Sequence, residues 1–518
     1  MNVLLHFLII MVFMAAVDTD DIVEEKIGKE LYDYQQEDLN QIFDHFENSS
    51  SNYKLLYQLP TGGGKTVIFS EITRRYITQR KKKVLILTHR IELCKQTSNM
   101  LNTFGVNNKV INSQVKELDD ADEFMAFVAM VETLNNRLNE KKIDMSDIGL
   151  VIVDEAHHNS FRKLFRFFEH AFMLGVTATP LSSNIKLPMK DTYDELIVGS
   201  SIEALIDKGF LAKATIYSYD VGLGTLKVGI NGDYTVSSSE ELYTSDVMRS
   251  KLLYAYEQRA KGKKTLIFNN GINTSRYVYE TFRVKGYPVR HLDNKHSKKE
   301  RKDILKWFKE TPNAILSSVS ILTTGFDEPT IETIIINRAT RSLTLYFQMI
   351  GRGSRVLPDK STFDVIDLGN NAARFGMWDS PLDWQKIFRS PQYFLENLIS
   401  DDDIERAFKY KMPDELRAKF ANSDQVEFDI DEAYDQVVKN REKSSTVVDM
   451  AIEQHTKIIV ENSEDLLEAL GLIRLLRDDI EDRIRRYCYR ICNSTRNYKE
   501  WAIDDYTSRL KKAVSREY

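Results

Sequence analysis

Three glycines, a lysine and a threonine in a row, Gly62-Gly63-Gly64-Lys65-Thr66, stand between the apolar stretches KLLYQLP and VIF. Glycines let successive backbone N–H groups turn toward one anion, and a helix starting there adds its own positive pole. The segment from Thr61 to Thr66 therefore predicts a phosphate-binding loop, with Lys65 reaching the β and γ phosphates and the Thr66 hydroxyl ligating Mg2+. Leu59 stands where the general pattern has its first glycine, and a glycine-rich turn capping a helix would satisfy the same residues. A hydrolytic site also needs an acid at the end of a buried strand, and IGLVIVDEAHH supplies two. Asp154 is placed to hold Mg2+ through its water shell, and Glu155 to take a proton from the attacking water.

Apolar, β-branched runs alternate with helical stretches on both sides of these residues. KLLYQLP, KKKVLILTH, EFMAFVAM, IGLVIVDEAHH and AFMLGVTATP form one set; KKTLIFNN, YPVRHLDN, NAILSSVS, IETIIINRA and STFDVIDLG form another. That rhythm predicts an α/β chain, two parallel-sheet units in series, whose ligands gather where strands end. The expected boundaries are an apolar extension over 1–27, an ATP-binding domain over 28–205, a Gly- and Ser-rich linker or insertion over 206–250, a second domain over 251–375 and a mostly helical region over 376–518.

With 518 residues and 42% hydrophobic content the chain can bury more than one core. A net charge of −6 excludes a bulk-basic nucleic-acid binder, so any such partner must be met by local basic surface, for which RRYITQRKKK (74–83) and HSKKERK (296–302) are candidates. Cys94, Cys488 and Cys492 are too few for a disulfide framework and suit a reducing compartment; Cys488 and Cys492 could share a helix face and, with no His or third Cys near, read as structural, metal binding being the remoter alternative. The run from Val3 to Val17 is similar to a signal-peptide core, but no Lys or Arg precedes it and it is short for a span. An apolar extension, a cytoplasmic or nucleoid-associated location and no stable membrane association are the expectation, with export or anchoring the lesser alternative.

GGGKT, DEAH at 154–157, TATP at 177–180, TTGFD at 323–327 and QMIGRGSR at 348–355 occur in that order. Together they resemble the superfamily-two DEAH-type helicases (the DEAD/DEAH box proteins), in the branch of repair helicases and restriction-enzyme motor subunits. The resemblance covers residues 31 to 375 and implies two tandem RecA-like domains, ATP and Mg2+ as cofactors, and movement on nucleic acid, DNA favoured over RNA, 3′ to 5′. It implies that Gln35 contacts adenine, that Gly325 and Asp327 sense the nucleotide, and that His157, Thr177 and Thr179 link the ATP cleft to the nucleic-acid groove. Thr88, Arg90 and Thr133 resemble strand-backbone contacts, and Arg338, Arg341 and Ser342 further groove or interdomain contacts, with local capping an equal reading for Thr88, Thr133, Arg338 and Ser342. Tyr32, Glu132 and Thr324 depart from the family's usual residues. Gln348, Arg352 and Arg355 fit one helix start, its arginines about a turn apart, from which guanidinium groups meet the γ-phosphate when the domains close. An RNA helicase, and a clamp that remodels duplexes without unwinding them, are the rival expectations; the C-terminal helices could dock a protein partner.

Overall fold

The computed structural model describes residues 30–518 apart from 119, 185, 220, 320, 321, 323–325, 402, 403, 405–411, 424 and 492–495. The N-terminal apolar run, Gly325 and Cys492 lie outside the described residues.

The first sheet contains β1 (Lys54–Gln58), β2 (Lys83–Thr88), β3 (Asn108–Ile111), β4 (Ala126–Met130), β5 (Ile148–Asp154), β6 (Phe172–Thr177) and β7 (Glu195–Val198), in the order β3-β4-β2-β5-β6-β1-β7. The second contains β8 (Lys213–Ser218), β9 (Thr265–Asn269), β10 (Val289–Leu292), β11 (Ile315–Ser318), β12 (Thr333–Asn337) and β13 (Thr362–Asp367), in the order β10-β11-β9-β12-β13-β8. Pairs such as β2 with β5, β1 with β7 and β12 with β9 are parallel. Parallel sheets are covered on both faces, which is why their central strands are continuous apolar runs. Leu150 to Val153 of β5 and Ile334 to Ile336 of β12 are wholly buried.

Helices α1 (Asp33–Asn48), α2 (Lys65–Arg80), α3 (Ile91–Thr103) and α4 (Val131–Asn139) accompany the first sheet, and α5 (Leu343–Ile350) follows β12. The C-terminal region is helical, with α6 (Ile430–Lys439), α7 (Thr446–Glu461), α8 (Leu466–Leu475), α9 (Arg477–Arg490) and α10 (Arg496–Val514) around a core that includes Val447, Ile459, Leu476, Tyr506 and Leu510. Among the described residues no helix is long and apolar enough to cross a membrane.

Part of the stretch expected as a linker is sheet instead: β8 is the edge strand beside β13, in register from Lys213 opposite Thr362 to Ser218 opposite Asp367. By backbone packing the chain separates into two compact units. Among the described residues, one takes in 30–53, Thr66–Asp154 and Ser160–Leu174; the other takes in Lys54–Lys65, Glu155–Asn159 and Gly175–Tyr518. The glycine loop as far as Lys65, the turn beginning at Glu155, the TATP segment and QMIGRGSR therefore all belong to the second unit.

Candidate active site

The glycine loop leaves the buried end of β1. Leu59 N donates to Thr177 O at 3.0 Å, and Gly63 N to Pro60 O at 3.0 Å, closing a turn that runs into α2 at Lys65. Gly62 and Gly64 have φ of +94° and +85°, the left-handed region in which a side chain is costly. Lys65 Nζ donates to Leu59 O and Pro60 O at 3.2 and 3.3 Å, long bonds that lay the ammonium along the inside of its own loop. A helix N-terminus, left-handed glycines and a lysine already folded over them fit the phosphates of a nucleotide.

β5 ends at Asp154, which is buried. The next residue, Glu155, takes φ +53°, an uncommon conformation for a non-glycine and one found at functional turns. That turn brings His157 Nδ1 to 3.4 Å from Glu155 Oε2 and 3.1 Å from Thr177 Oγ1. The single Thr177 hydroxyl proton is donated to Thr179 O at 3.0 Å, so His157 must be the donor in its own bond to Thr177, which fixes the Nδ1–H tautomer. Burial, reinforced by the neighbouring His158 and Lys65, holds the imidazole far below its ordinary pKa and keeps it neutral. Thr179 Oγ1 then donates to Thr344 Oγ1 at 2.8 Å, so the chain of polar contacts runs from the acid Glu155 to the first turn of α5.

At the other end of α5 lie the arginines. The expected single helix start is corrected: α5 ends at Ile350, so Gln348 sits in its last turn, Arg352 lies in the turn that follows and Arg355 in the irregular segment just beyond it. Gly351 caps that end, and a Cβ there would meet Thr61 Cγ2 at 2.7 Å; a Cβ on Gly62 would meet Ser354 Oγ at 3.0 Å. The arginine turn thus packs directly on the glycine loop. Arg355 Nη1 donates to Gly62 O at 3.1 Å while its Nε donates to Asp327 Oδ1 at 2.8 Å. Arg352 Nη1 donates to Phe326 O. Gln348 is buried, and its Nε2 has no hydrogen-bond partner.

The other predicted residues divide. Thr88 is fully buried with its hydroxyl 2.9 Å from Cys94 Sγ and 3.2 Å from Arg90 O, so in this conformation it caps its own loop and is no surface contact. Arg338 is likewise buried, 3.3 Å from Asp233, and Ser342 caps α5 by accepting from Leu345 N. Arg90, at the start of α3, and Thr133, in the first turn of α4, stay part-exposed, and Arg341 is exposed. Gln35 accepts from Tyr32 N at 3.1 Å and donates to Tyr34 Oη at 3.3 Å, bonds that hold the start of α1. Sequence reasoning missed Asp233, whose carboxylate accepts from Arg338, from Thr340 Oγ1 at 2.7 Å and from Arg341 N at 2.7 Å; a lone Asp after a glycine looks like an ordinary turn residue. Separately, His291, Asp293 and His296 bring ligand atoms within 4.8 Å of one another. Asp293 accepts from Lys295 N at 2.8 Å and lies 3.8 Å from Arg276 Nη2, so existing donors and positive charge already serve that carboxylate.

The family described as type III restriction enzyme, res subunit, matches residues 28–182, and the helicase conserved C-terminal domain matches residues 248–356. A 51.5 kDa protein of a Lactococcus phage is 30% identical over 337 residues, 64% of this chain and 69% of that one. A Saccharomyces cerevisiae protein assigned by name to the ATP-dependent helicases, IRC3, is 29% identical over 357 residues; the match covers 65% of this chain and 51% of the yeast protein, so the chain spans about half of that relative. The ATP-dependent type ISP restriction-modification enzyme LlaBIII, solved bound to DNA, shares the fold with a TM-score of 0.52 and 16% identity, over 94% of this chain and 40% of the enzyme. The chain belongs to the superfamily-two helicases, among the relatives of restriction-enzyme motor subunits.

Proposed function

We propose that this chain is an ATP-dependent DNA helicase or translocase that turns over ATP on the loop Thr61–Thr66. The observation that carries the reading is Arg355, whose guanidinium lies against Gly62 O at 3.1 Å in the same packed unit as Lys65 and Glu155. Thr66 and Asp154 would hold Mg2+, which supplies charge neutralisation on the phosphates when bound. Lys65 exchanges its long bonds to Leu59 and Pro60 for phosphate oxygens. Glu155 accepts the proton of the attacking water, and Arg352, Arg355 and Gln348 face the charge that develops on the transferred phosphoryl group. His157, Thr177 and Thr179 carry the state of Glu155 to α5 by the polar contacts described above. Gln35 reads adenine, and Asp327, with Gly325, reports nucleotide occupancy through Arg355.

DNA is supported by the restriction-enzyme family match and by the DNA-bound enzyme of the same fold. Arg90, Thr133 and Arg341 are the proposed contacts, suited to phosphate at any sequence, with movement 3′ to 5′. A protein-docking role for the C-terminal helices is supported by exposed Leu467, Leu475 and Trp501. The test is ATP turnover measured alone and with single-stranded DNA, duplex DNA or RNA. Stimulation by DNA is expected; stimulation by RNA alone overturns the choice of DNA, and none by any nucleic acid overturns the motor.

A further inference from the structure

Lys360 is an ordinary residue of the segment VLPDKST in sequence, yet it is only 8% exposed in the fold. A tight turn pairs Leu357 with Lys360, N to O at 3.0 Å and 2.9 Å, and doubles the chain back beside the arginines. The ammonium has three N–H donors, and three backbone carbonyls take them: Gly353 O at 2.7 Å, Arg355 O at 2.8 Å and Pro329 O at 3.0 Å. Two of these belong to the arginine turn and the third to the segment Phe326–Pro329, which supplies Asp327 to Arg355 and a carbonyl to Arg352. One side chain therefore ties the two pieces of backbone that aim both guanidiniums. Hydrogen bonds from a charged donor to neutral carbonyls are stronger than bonds from an amine, and no other described donor makes all three.

We infer that Lys360 is a positioning residue for phosphoryl transfer, its ammonium holding the arginine turn against Phe326–Pro329 so that Arg355 stays on the phosphate loop. The inference rests on the proposed ATP turnover for its kinetic arm only. Burial away from water pushes the Lys360 pKa down to about 8; Glu332 and Glu328 oppose that and Arg355 adds to it, while the nearby Lys263 and Asp364 pair with each other. The charge, and with it the full strength of the clamp, is present below that value and fades above it. Global stability moves the other way: between about 8 and the ordinary 10.5 the unfolded chain binds the proton that the folded chain has lost, so this group's contribution rises with pH. Catalysis and stability should part company across the same window, which a purely structural lysine would not produce.

The experiment uses the full chain, Lys360→Met and Lys360→Arg. Lys360→Met is expected to lower kcat for ATP about ten- to hundredfold with little change in KM, the size of effect expected from a small displacement of a catalytic group. Lys360→Arg, charged at every pH, keeps most turnover and loses the alkaline fall of the wild type. Independently of any turnover, Lys360→Met should speed amide hydrogen exchange in 351–356 and leave β1–β7 unchanged. Wild-type kcat in Lys360→Met, or unaltered exchange across 351–356, overturns the inference. Should Lys360→Met fail to fold, the wild type and Lys360→Arg decide, since identical alkaline profiles in those two overturn it as well. A wild-type chain without ATP turnover would defeat the proposed function, leaving the exchange measurement to judge the clamp.

Discussion

Arg355 is held by two acceptors of unequal strength, the Asp327 carboxylate at 2.8 Å and the neutral Gly62 carbonyl at 3.1 Å. A phosphate oxygen arriving at the glycine loop would compete with the weaker of the two, while the aspartate keeps the guanidinium oriented. Removing Arg355 with alanine is expected to cost about 10³-fold or more in kcat, the scale of an arginine finger, with ATP still bound. Lys65→Ala and Glu155→Gln should then separate binding from chemistry: the first loses nucleotide affinity, whereas the second binds ATP and fails to hydrolyse it. Equilibrium binding of a fluorescent ATP analogue beside steady-state turnover measures both, and full turnover in Arg355→Ala would remove the arginine from the mechanism. Glu155 suits such a test because glutamine keeps its shape at φ +53°, where a β-branched residue would strain the turn. The loop and the acids were legible in the sequence because each is a short contiguous run. Asp233 and Lys360 were not: Asp233 acts on Arg338, 105 residues on, and Lys360 joins the nearby Gly353 and Arg355 carbonyls to that of Pro329, 31 residues back, a convergence only the fold creates.

At the scale of elements, the ten strands read from apolar runs are all present, and three short ones were not foreseen. β3, β7 and β8 lie at sheet edges, where one side is open and no continuous apolar run is needed; β8 (KATIYS) has no wholly buried residue. The C-terminal helices were legible only as helices. Their shared core holds a polar thread that the sequence could not reveal: His455 Nε2 lies 2.9 Å from Asp479 Oδ2, and its Nδ1 lies 2.8 Å from Tyr506 Oη, joining α7, α9 and α10. Burial, with Arg483 nearby, pushes the His455 pKa down to about 4 against the opposing pull of Asp479. The folded helices refuse a proton that the unfolded chain accepts near 6.5, so stability is complete above 6.5 and declines as pH falls toward 4. Urea unfolding followed by helix content should show a falling midpoint over that interval, and a level midpoint would exclude a buried neutral His455. Tyr506→Phe leaves His455 Nδ1 without its partner and should cost about 1–3 kcal/mol at pH 7.

For the whole molecule, a net charge of −6 sets how the proposed DNA substrate could be held. Long-range attraction is weak or repulsive, so affinity must come from a local set of arginines, lysines and hydroxyls on phosphates. Each neutralised phosphate releases counterions, and binding to a single strand should weaken with a log–log salt slope of about −0.7 per contact. A titration of single-stranded DNA between low and moderate salt reads that slope directly; a flat response would mean that base stacking, rather than phosphate, supplies the grip.

Gly351 has φ −57°, an ordinary helical backbone that any residue could adopt, so nothing about its conformation calls for glycine. What calls for it is clearance: the missing methyl is the gap through which Thr61 approaches. Alanine there would act as a shim of one carbon, lifting the guanidinium-bearing turn off the loop while leaving every charged group in the chain untouched. Such a variant should still take up ATP yet hydrolyse it slowly, which makes the spacing between two backbones, measurable by a single methyl, a control on the rate in its own right.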